Sequence, residues 1–309
     1  MTDLIEFAHV TKTYHGENVV ADLNLTIKAG ELFVLVGESG SGKTTTLKMI
    51  NRLVEPSAGE IRFNGQSVTT FPVRKLRWHI GYVLQQIALF PTMTVGQNVA
   101  LIPEMRRWPK AQVQKRVNEL LDAVGLPAAD YRDRMPKALS GGEQQRVGIL
   151  RAFAGKPPIV LMDEPFSALD PLSRNQLQEL VLRLHQELGM TIIFVTHDMN
   201  EALRLGQRIG VMRDGHLVQV ATPTEIAEAP ATAWVADFFA GANRLLLDTP
   251  VGELAQYGTP AQGAGVDPAL PLRQVLTQIT TAQSVTVTAK QGTFKLDAQA
   301  IMHFLADKA

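Results

Sequence analysis

The sequence contains no cysteine. That excludes disulfides, thiolate-bound zinc and cysteine nucleophiles, and it suits a reducing compartment. Also missing is any uncharged apolar stretch of about 18 residues, the length that a membrane-spanning helix requires. An excess of charge of either sign is absent: 30 basic and 30 acidic side chains balance to a net charge of +0. Composition therefore gives no electrostatic reason to expect nucleic acid or an acidic partner. The opening residues, MTDLIEFAHV, have neither a basic n-region nor an apolar h-region, so no signal peptide is expected. What remains is a chain of 309 residues, 45% hydrophobic and 19% charged. That is enough for a proper core, in one large domain plus a small one or in two ordinary ones.

Residues 37–44 read GESGSGKT, between the apolar run ELFVLV and the helix-like TTTLKMINRL. Val34, Leu35 and Val36 suit a buried strand, and the glycines let the chain curl tightly at its end. The backbone N–H groups of Gly37, Glu38, Ser39, Gly40, Ser41 and Gly42 can then cradle phosphate at the positive end of a helix that begins around Thr45. In such a loop Lys43 reaches the β- and γ-phosphates and the Thr44 hydroxyl ligates Mg²⁺.

The stretch PIVLMDEP, residues 158–165, is an apolar strand ending in two adjacent carboxylates. Asp163 is placed to hold Mg²⁺ directly or through water. Glu164 is placed to polarise a water for attack on the γ-phosphate. The bland alternative is a helix N-cap with a solvated neighbour. The stretch LSGGEQQR, residues 139–146, puts a serine and two glycines at the start of a predicted helix, a second anion cradle. One triphosphate does not need two cradles from one subunit. Ser140, Gly141 and Gly142 are therefore expected to serve the nucleotide held by another copy. Ser140 is also expected to cap its helix, with Glu143 as capping-box partner, and the two roles are compatible.

The segments LIEFAHV, VVADLNLTI and ELFVLVG make the first 70 residues strand-rich, and Asn64-Gly65 signals a hairpin. From about Thr94 to Arg151 apolar positions recur every three or four residues, as in a helix. PIVLMD, SRNQLQELVLRLHQEL, TIIFVTHD, MNEALRLG and RIGVM then alternate strand with helix, the mark of a parallel sheet covered by helices. Asp214-Gly215 is expected to close a late hairpin, and Thr224 to Phe239 to form two short helices around Pro230. Beyond Gly241 the composition becomes Gln-, Thr- and Ala-rich, which places a boundary near residue 244.

Taken together, GESGSGKT, Gln85, LSGGEQQR, IVLMDEP, SALD and the histidine of VTHD resemble the nucleotide-binding subunit of ABC transporters, in the family's order and over about residues 4–241. The resemblance implies an α/β fold: a P-loop NTPase (RecA-like) core with an antiparallel β subdomain and an α-helical subdomain at about 89–155, plus a small C-terminal α/β tail. It implies ATP and Mg²⁺, with Thr44, Gln85 and Asp163 around the metal and Glu164, His197, Gln85 and Lys43 as the catalytic set. Tyr14 would stack on adenine, His197 would touch the γ-phosphate, and Asp170 would lie across a head-to-tail dimer of two ATPase subunits. Gln86 is the alternative to Gln85, which the alignment of ALFP favours. Implied partners are transmembrane permease subunits at the cytoplasmic face of the membrane and, indirectly, an extracellular substrate-binding protein; nucleic acid is not among them.

A narrower resemblance is carried by TTTLKMINRLVEPSAG, GYVLQQIALFPTMTVGQNVALIP, DYRDRMPKALSGGEQQR and FVTHDMNEALRLGQRI. These strings are similar to the osmoprotectant branch, importers of glycine betaine, choline, carnitine and related quaternary amines. The alternatives are an importer for another small solute, such as ergothioneine or an amino acid, or a non-transport ATPase of the family. Glu38 departs from the branch, which usually has proline there, and Leu150 and Phe153 are bulkier than usual. Residues 245–309 are too few for the pair of CBS modules that branch members often carry. SVTVTAK, TFKLD and AQAIMHFLADK suggest one small α/β unit, a truncated regulatory module or a passive packing extension. The basic run EMRRWPKAQVQKR, residues 104–116, is expected to be a solvated helix face or a permease contact.

Overall fold

The computed structural model describes residues 2–85, 88–167, 169–239, 249–263, 265–289 and 292–308. The boundary expected near 244 and the alternative glutamine Gln86 lie outside these residues. The chain divides into two compact units, Met1–Asp198 with Leu205–Thr224, and Met199–Arg204 with Glu225–Ala309.

Two sheets build the first unit. Strands β1 (Asp3–Tyr14), β2 (Glu17–Lys28), β4 (Ala58–Phe63) and β5 (Gln66–Ser67) form an antiparallel sheet in the order β2-β1-β4-β5. Its last hairpin turns at Asn64 and Gly65, with φ of 52° and 76°, the pair of positive angles expected of Asn-Gly. The second sheet holds β3 (Leu32–Gly37), β6 (Ile80–Val83), β7 (Ile159–Asp163), β8 (Thr191–Thr196), β9 (Arg208–Arg213) and β10 (His216–Ala221), ordered β10-β9-β3-β8-β7-β6. Every pairing but β10-β9 is parallel. All residues of β3, β7 and β8 are buried, as expected of strands covered on both faces.

That strand order positions the site. The chain leaves β3, β8, β7 and β6 at neighbouring C-terminal ends, where parallel α/β sheets bind ligands. GESGSGKT follows β3, His197 follows β8, Glu164 follows β7 and Gln85 follows β6. Val36 pairs with Thr196, Asp163 with Val195 and Val83 with Met162, so the four exits are level.

After the short helix α2 (Val73–Trp78), the helical stretch expected from Thr94 to Arg151 is α3 (Val95–Met105), α4 (Lys110–Ala123), α5 (Ala128–Tyr131) and α6 (Gly141–Ala154). The residues just ahead of it, from Phe90 to Thr94, are pinned by Asn98, which is 0% exposed. The Asn98 amide nitrogen donates to the carbonyls of Phe90, Met93 and Thr94 at 3.0–3.2 Å. Its oxygen accepts from the Phe90 N–H at 2.8 Å. Asn98→Ala would leave these buried groups unpaired, at a cost of about 2–4 kcal/mol. A melting temperature lowered by several degrees is the expected result in thermal denaturation.

The basic run is less solvated than its composition suggests. Arg106 Nη1 donates to the Gly155 carbonyl at 2.6 Å, and Arg116, 9% exposed, reaches the Phe153 carbonyl at 3.2 Å. Burial lowers the Arg116 pKa. These two guanidiniums tie the end of α6 to α3 and α4; of the run's cations Arg116 alone is buried, and Arg106, Arg107, Lys110 and Lys115 are exposed.

Two short helices, 223–228 and 233–239, flank Pro230 as expected. The tail forms a small unit with its own core. Strands β11 (Thr259–Pro260), β12 (Ser284–Ala289) and β13 (Gly292–Asp297) run in the order β11-β13-β12, with helices Leu272–Ala282 and Ala298–Lys308. Val285, Val287, Phe294 and Leu296 alternate inward against Val275, Ile279 and Phe304 of the helices.

Candidate active site

The loop after β3 leads straight into helix α1 (Lys43–Ile50), whose first N–H groups have no partner within the helix. Gly42 caps it at φ 97°, and a Cβ there would sit 2.4 Å from the Val19 carbonyl oxygen. Only glycine fits, because both the left-handed backbone and the approach of β2 exclude a side chain. Lys43 is 5% exposed, and its ammonium donates to the carbonyls of Gly37 at 2.8 Å and Glu38 at 2.7 Å. Burial lowers its pKa, while Glu164, Asp163 and Glu38 pull it back upward. Glu38, where the branch usually has proline, thus contributes its backbone oxygen, and its side chain is exposed. Ser41 is buried and lies 3.4 Å from the lysine nitrogen.

Facing this loop are the carboxylates. The Thr44 hydroxyl donates to Asp163 Oδ1 at 2.7 Å across 119 residues of sequence. One oxygen of Glu164, Oε2, meets both Gln85 Nε2 at 3.4 Å and His197 Nδ1 at 3.2 Å. Glu164 adopts φ 44°, a strained backbone for a residue with a Cβ, and its N–H donates to the Val195 carbonyl at 3.0 Å. A cavity of about 480 Å³ opens between the two sets. Ser39, Gly40, Gly42, Lys43, Thr44 and Thr45 wall it on one side, and Gln85, Glu164 and His197 on the other.

Tyr82 falls within the string GYVLQQIALFP, but no chemical role attaches to it there. It sits on β6 beside β7, and its hydroxyl is buried without a hydrogen-bond partner among the described residues. Burial, and after it the neighbouring Asp163 carboxylate, raise the phenol pKa. The hydroxyl lies against that carboxylate without meeting it in hydrogen-bond geometry. Gln145 belongs to LSGGEQQR, but its partner is set by the fold: from inside α6 it donates to the Pro165 carbonyl at 2.7 Å, joining that helix to the DEP turn. Only the fold reveals either contact.

Ser140, Gly141, Gly142, Asp170 and Tyr14 are not among the residues lining this cavity. Ser140 caps α6 with the full capping box, its exposed position and the two glycines leaving the helix end open. Asp170 caps helix α7 (Pro171–Leu188), accepting from the Ser173 N–H at 3.0 Å, and is exposed. Tyr14 is 42% exposed at the end of β1, with the Lys12 ammonium 4.7 Å from its ring centre.

The donor set fits magnesium nucleotide. Thr44 and Asp163 supply paired hard oxygens, an unpartnered buried hydroxyl lies alongside, and a cationic loop at a helix N-terminus faces them.

A phosphate loop and a carboxylate pair at the strand ends of one parallel sheet, with the Ser140–Gly142 cradle outside the cavity they line, define an ATP-binding cassette, and the chain belongs to the ABC transporter family, whose model matches residues 20–167. It is 45% identical over 276 residues to the glycine betaine uptake system ATP-binding protein YehX of Escherichia coli, covering 88% of this chain and 89% of that one. It is 50% identical over 255 residues to the carnitine transport ATP-binding protein OpuCA of Listeria monocytogenes. That match covers 82% of this chain but 64% of the relative, so the chain spans less than two thirds of OpuCA's length. Among solved structures, the dimeric ATP-binding cassette MJ0796 in a post-hydrolysis state with ADP and Pi matches with a TM-score of 0.64 and 35% identity. The match covers 71% of this chain and 99% of that one. Among the described residues no helix is long and apolar enough to cross a membrane.

Proposed function

We propose that this chain is the ATP-hydrolysing subunit of an importer for quaternary-amine compatible solutes: glycine betaine, carnitine and choline. It acts at the cytoplasmic face of the membrane on separate permease subunits, which receive solute from an extracellular binding protein. The observation that carries this reading is the 45% identity to a glycine betaine uptake ATP-binding protein along 89% of that relative's length. The solute never touches an ATPase subunit, so its identity is argued from kinship and the chemistry from the site.

Two copies associate head to tail, each ATP lying on the phosphate loop of one and on Ser140, Gly141 and Gly142 of the other. Tyr14 stacks on adenine, and Asp170 lies across the interface. Thr44, Asp163 and Gln85 would hold Mg²⁺, which when bound neutralises charge on the β- and γ-phosphates. Glu164 takes a proton from water as the water oxygen bonds to the γ-phosphorus. The bond from that phosphorus to the bridging oxygen breaks, and ADP leaves with its new charge countered by Lys43. His197 and Gln85 hold the carboxylate through its shared oxygen, His197 contacts the γ-phosphate, and Gln85 faces the attacking water. Hydrolysis removes the ligand that both subunits share, so the pair opens. The α3–α6 segment moves with it, and the permease, docked on that segment, changes the side to which it is open. The exposed Phe90 and Met105, with Arg107 and Lys110 nearby in sequence, support a docking face there.

The test is uptake of labelled glycine betaine, choline and carnitine in cells lacking this gene but retaining permease and binding protein. Uptake restored by the natural chain, and not by Glu164→Gln, is the expected result. Failure to restore uptake of all three by a chain with measured ATPase activity would discard the solute class.

A further inference from the structure

We infer that Tyr131 is a positioning residue for the phosphate cradle at the head of α6, acting through the carboxylate of Glu143. The Tyr131 hydroxyl donates to Glu143 Oε1 at 2.8 Å. The other carboxylate oxygen accepts from the Ser140 backbone N–H at 2.7 Å. The Glu143 N–H in turn donates to Ser140 Oγ at 3.3 Å. These three bonds decide which groups the cradle can offer. The Ser140 N–H is consumed within its own chain. The Ser140 hydroxyl, accepting from behind, keeps its proton for a ligand in front, beside the first N–H groups of the helix at Gly141 and Gly142.

Glu143 also poses a hazard that Tyr131 removes. A carboxylate in the first turn is attracted to the same helix end as a phosphate and would compete with it. Here both of its oxygens are anchored, one by Ser140 and one by Tyr131, so the negative charge stays behind the cradle. The Ser140 N–H foremost, and the Tyr131 hydroxyl after it, hold the Glu143 carboxyl below its usual pKa. The Arg134 guanidinium, 4.1 Å from the Tyr131 ring centre, fixes the ring in turn.

Tyr131 ends α5, and the residues after it lead to the head of α3. The chain just beyond it is bonded to the head of α3: the Gly96 N–H donates to the Arg132 carbonyl and the Val95 N–H to the Arg134 carbonyl, both at 2.8 Å. Packing there is tight, since a Cβ on Gly96 would sit 2.6 Å from Arg132 Cγ. Thr94, Gly96 and Arg132 also line a groove of about 280 Å³ between α3 and α4. A displacement of the α3 head therefore reaches Ser140 through Tyr131 and Glu143.

This inference rests on the proposed head-to-tail dimer, in which Ser140 serves the partner's ATP. Its test is steady-state ATP hydrolysis by the full chain carrying Tyr131→Phe, Glu143→Ala, both, or Ser140→Ala. Loss of a hydrogen bond to a charged group predicts a kcat about tenfold lower for Tyr131→Phe. KM for Mg·ATP should stay within about twofold, because the substrate's own loop is untouched. Adding Tyr131→Phe to Glu143→Ala should cause no further loss. If Ser140→Ala lowers kcat and Tyr131→Phe does not, the role of Tyr131 is refuted while the dimer stands. A Tyr131→Phe loss that persists in full on the Glu143→Ala background refutes it equally. If Ser140→Ala leaves kcat unchanged, both the dimer reading and this inference fall.

Discussion

Glu164→Gln is expected to bind Mg·ATP as tightly as the natural chain and to hydrolyse it about 10²–10⁴-fold more slowly. The amide matches the carboxylate in shape, and its oxygen can still accept from Gln85 and His197, which now share one oxygen at 3.4 and 3.2 Å. The strained φ of 44° is carried by glutamine at the same cost as by glutamate. What the amide cannot do is take a proton from water. Bound nucleotide measured at equilibrium, alongside phosphate release in a single turnover, separates the two effects. Turnover near the natural rate would reassign the base and leave the shared-oxygen arrangement without a catalytic role.

Lys43→Ala acts on the other wall of the cavity and should fail earlier, at binding. The ammonium now rests on two carbonyls of its own loop, at 2.8 and 2.7 Å, close to where the phosphates would lie. Removing a buried cation from a charged pair costs about 3–5 kcal/mol, so ATP affinity should fall by about 10²–10⁴-fold. Thermal denaturation reads this directly. A ligand that binds only the folded state raises its stability in proportion to the logarithm of ligand over Kd. Mg·ATP should therefore raise the melting temperature of the natural chain and leave that of Lys43→Ala nearly unchanged at the same concentration. An equal rise in both would place the triphosphate away from this loop.

The features legible in the sequence are the local ones. Val34–Val36, the loop and α1 follow one another within 20 residues, and each carries its own cause: an apolar run, glycines that turn, a helix with a free N-terminus. The Asn64-Gly65 turn is legible for the same reason, as are the Ser140–Glu143 capping box and the strands and last helix of the tail, whose alternation of Val285, Val287, Phe294 and Leu296 shows in the residues themselves. Contacts made by folding are not legible. Glu164 meets Gln85 across 79 residues, and Tyr131 reaches Glu143 from a different helix. Tyr82 reads as an ordinary strand tyrosine until the order β7-β6 places it beside Asp163. Arg106 and Arg116 read as solvent-facing charge because nothing in their spacing announces the carbonyls of Gly155 and Phe153. Ser140–Gly142 and Asp170 form a third case. They do not line the cavity of their own chain, and their service to the nucleotide of another copy is part of the proposal.

That sharing is the centre of the account, and the solution mass of Glu164→Gln with and without Mg·ATP tests it most directly. The account predicts association that requires Mg·ATP, retains one nucleotide per subunit, and is weakened when Ser140→Ala is added. A mass indifferent to nucleotide, with ATP fully bound, would contradict it and leave each subunit working alone.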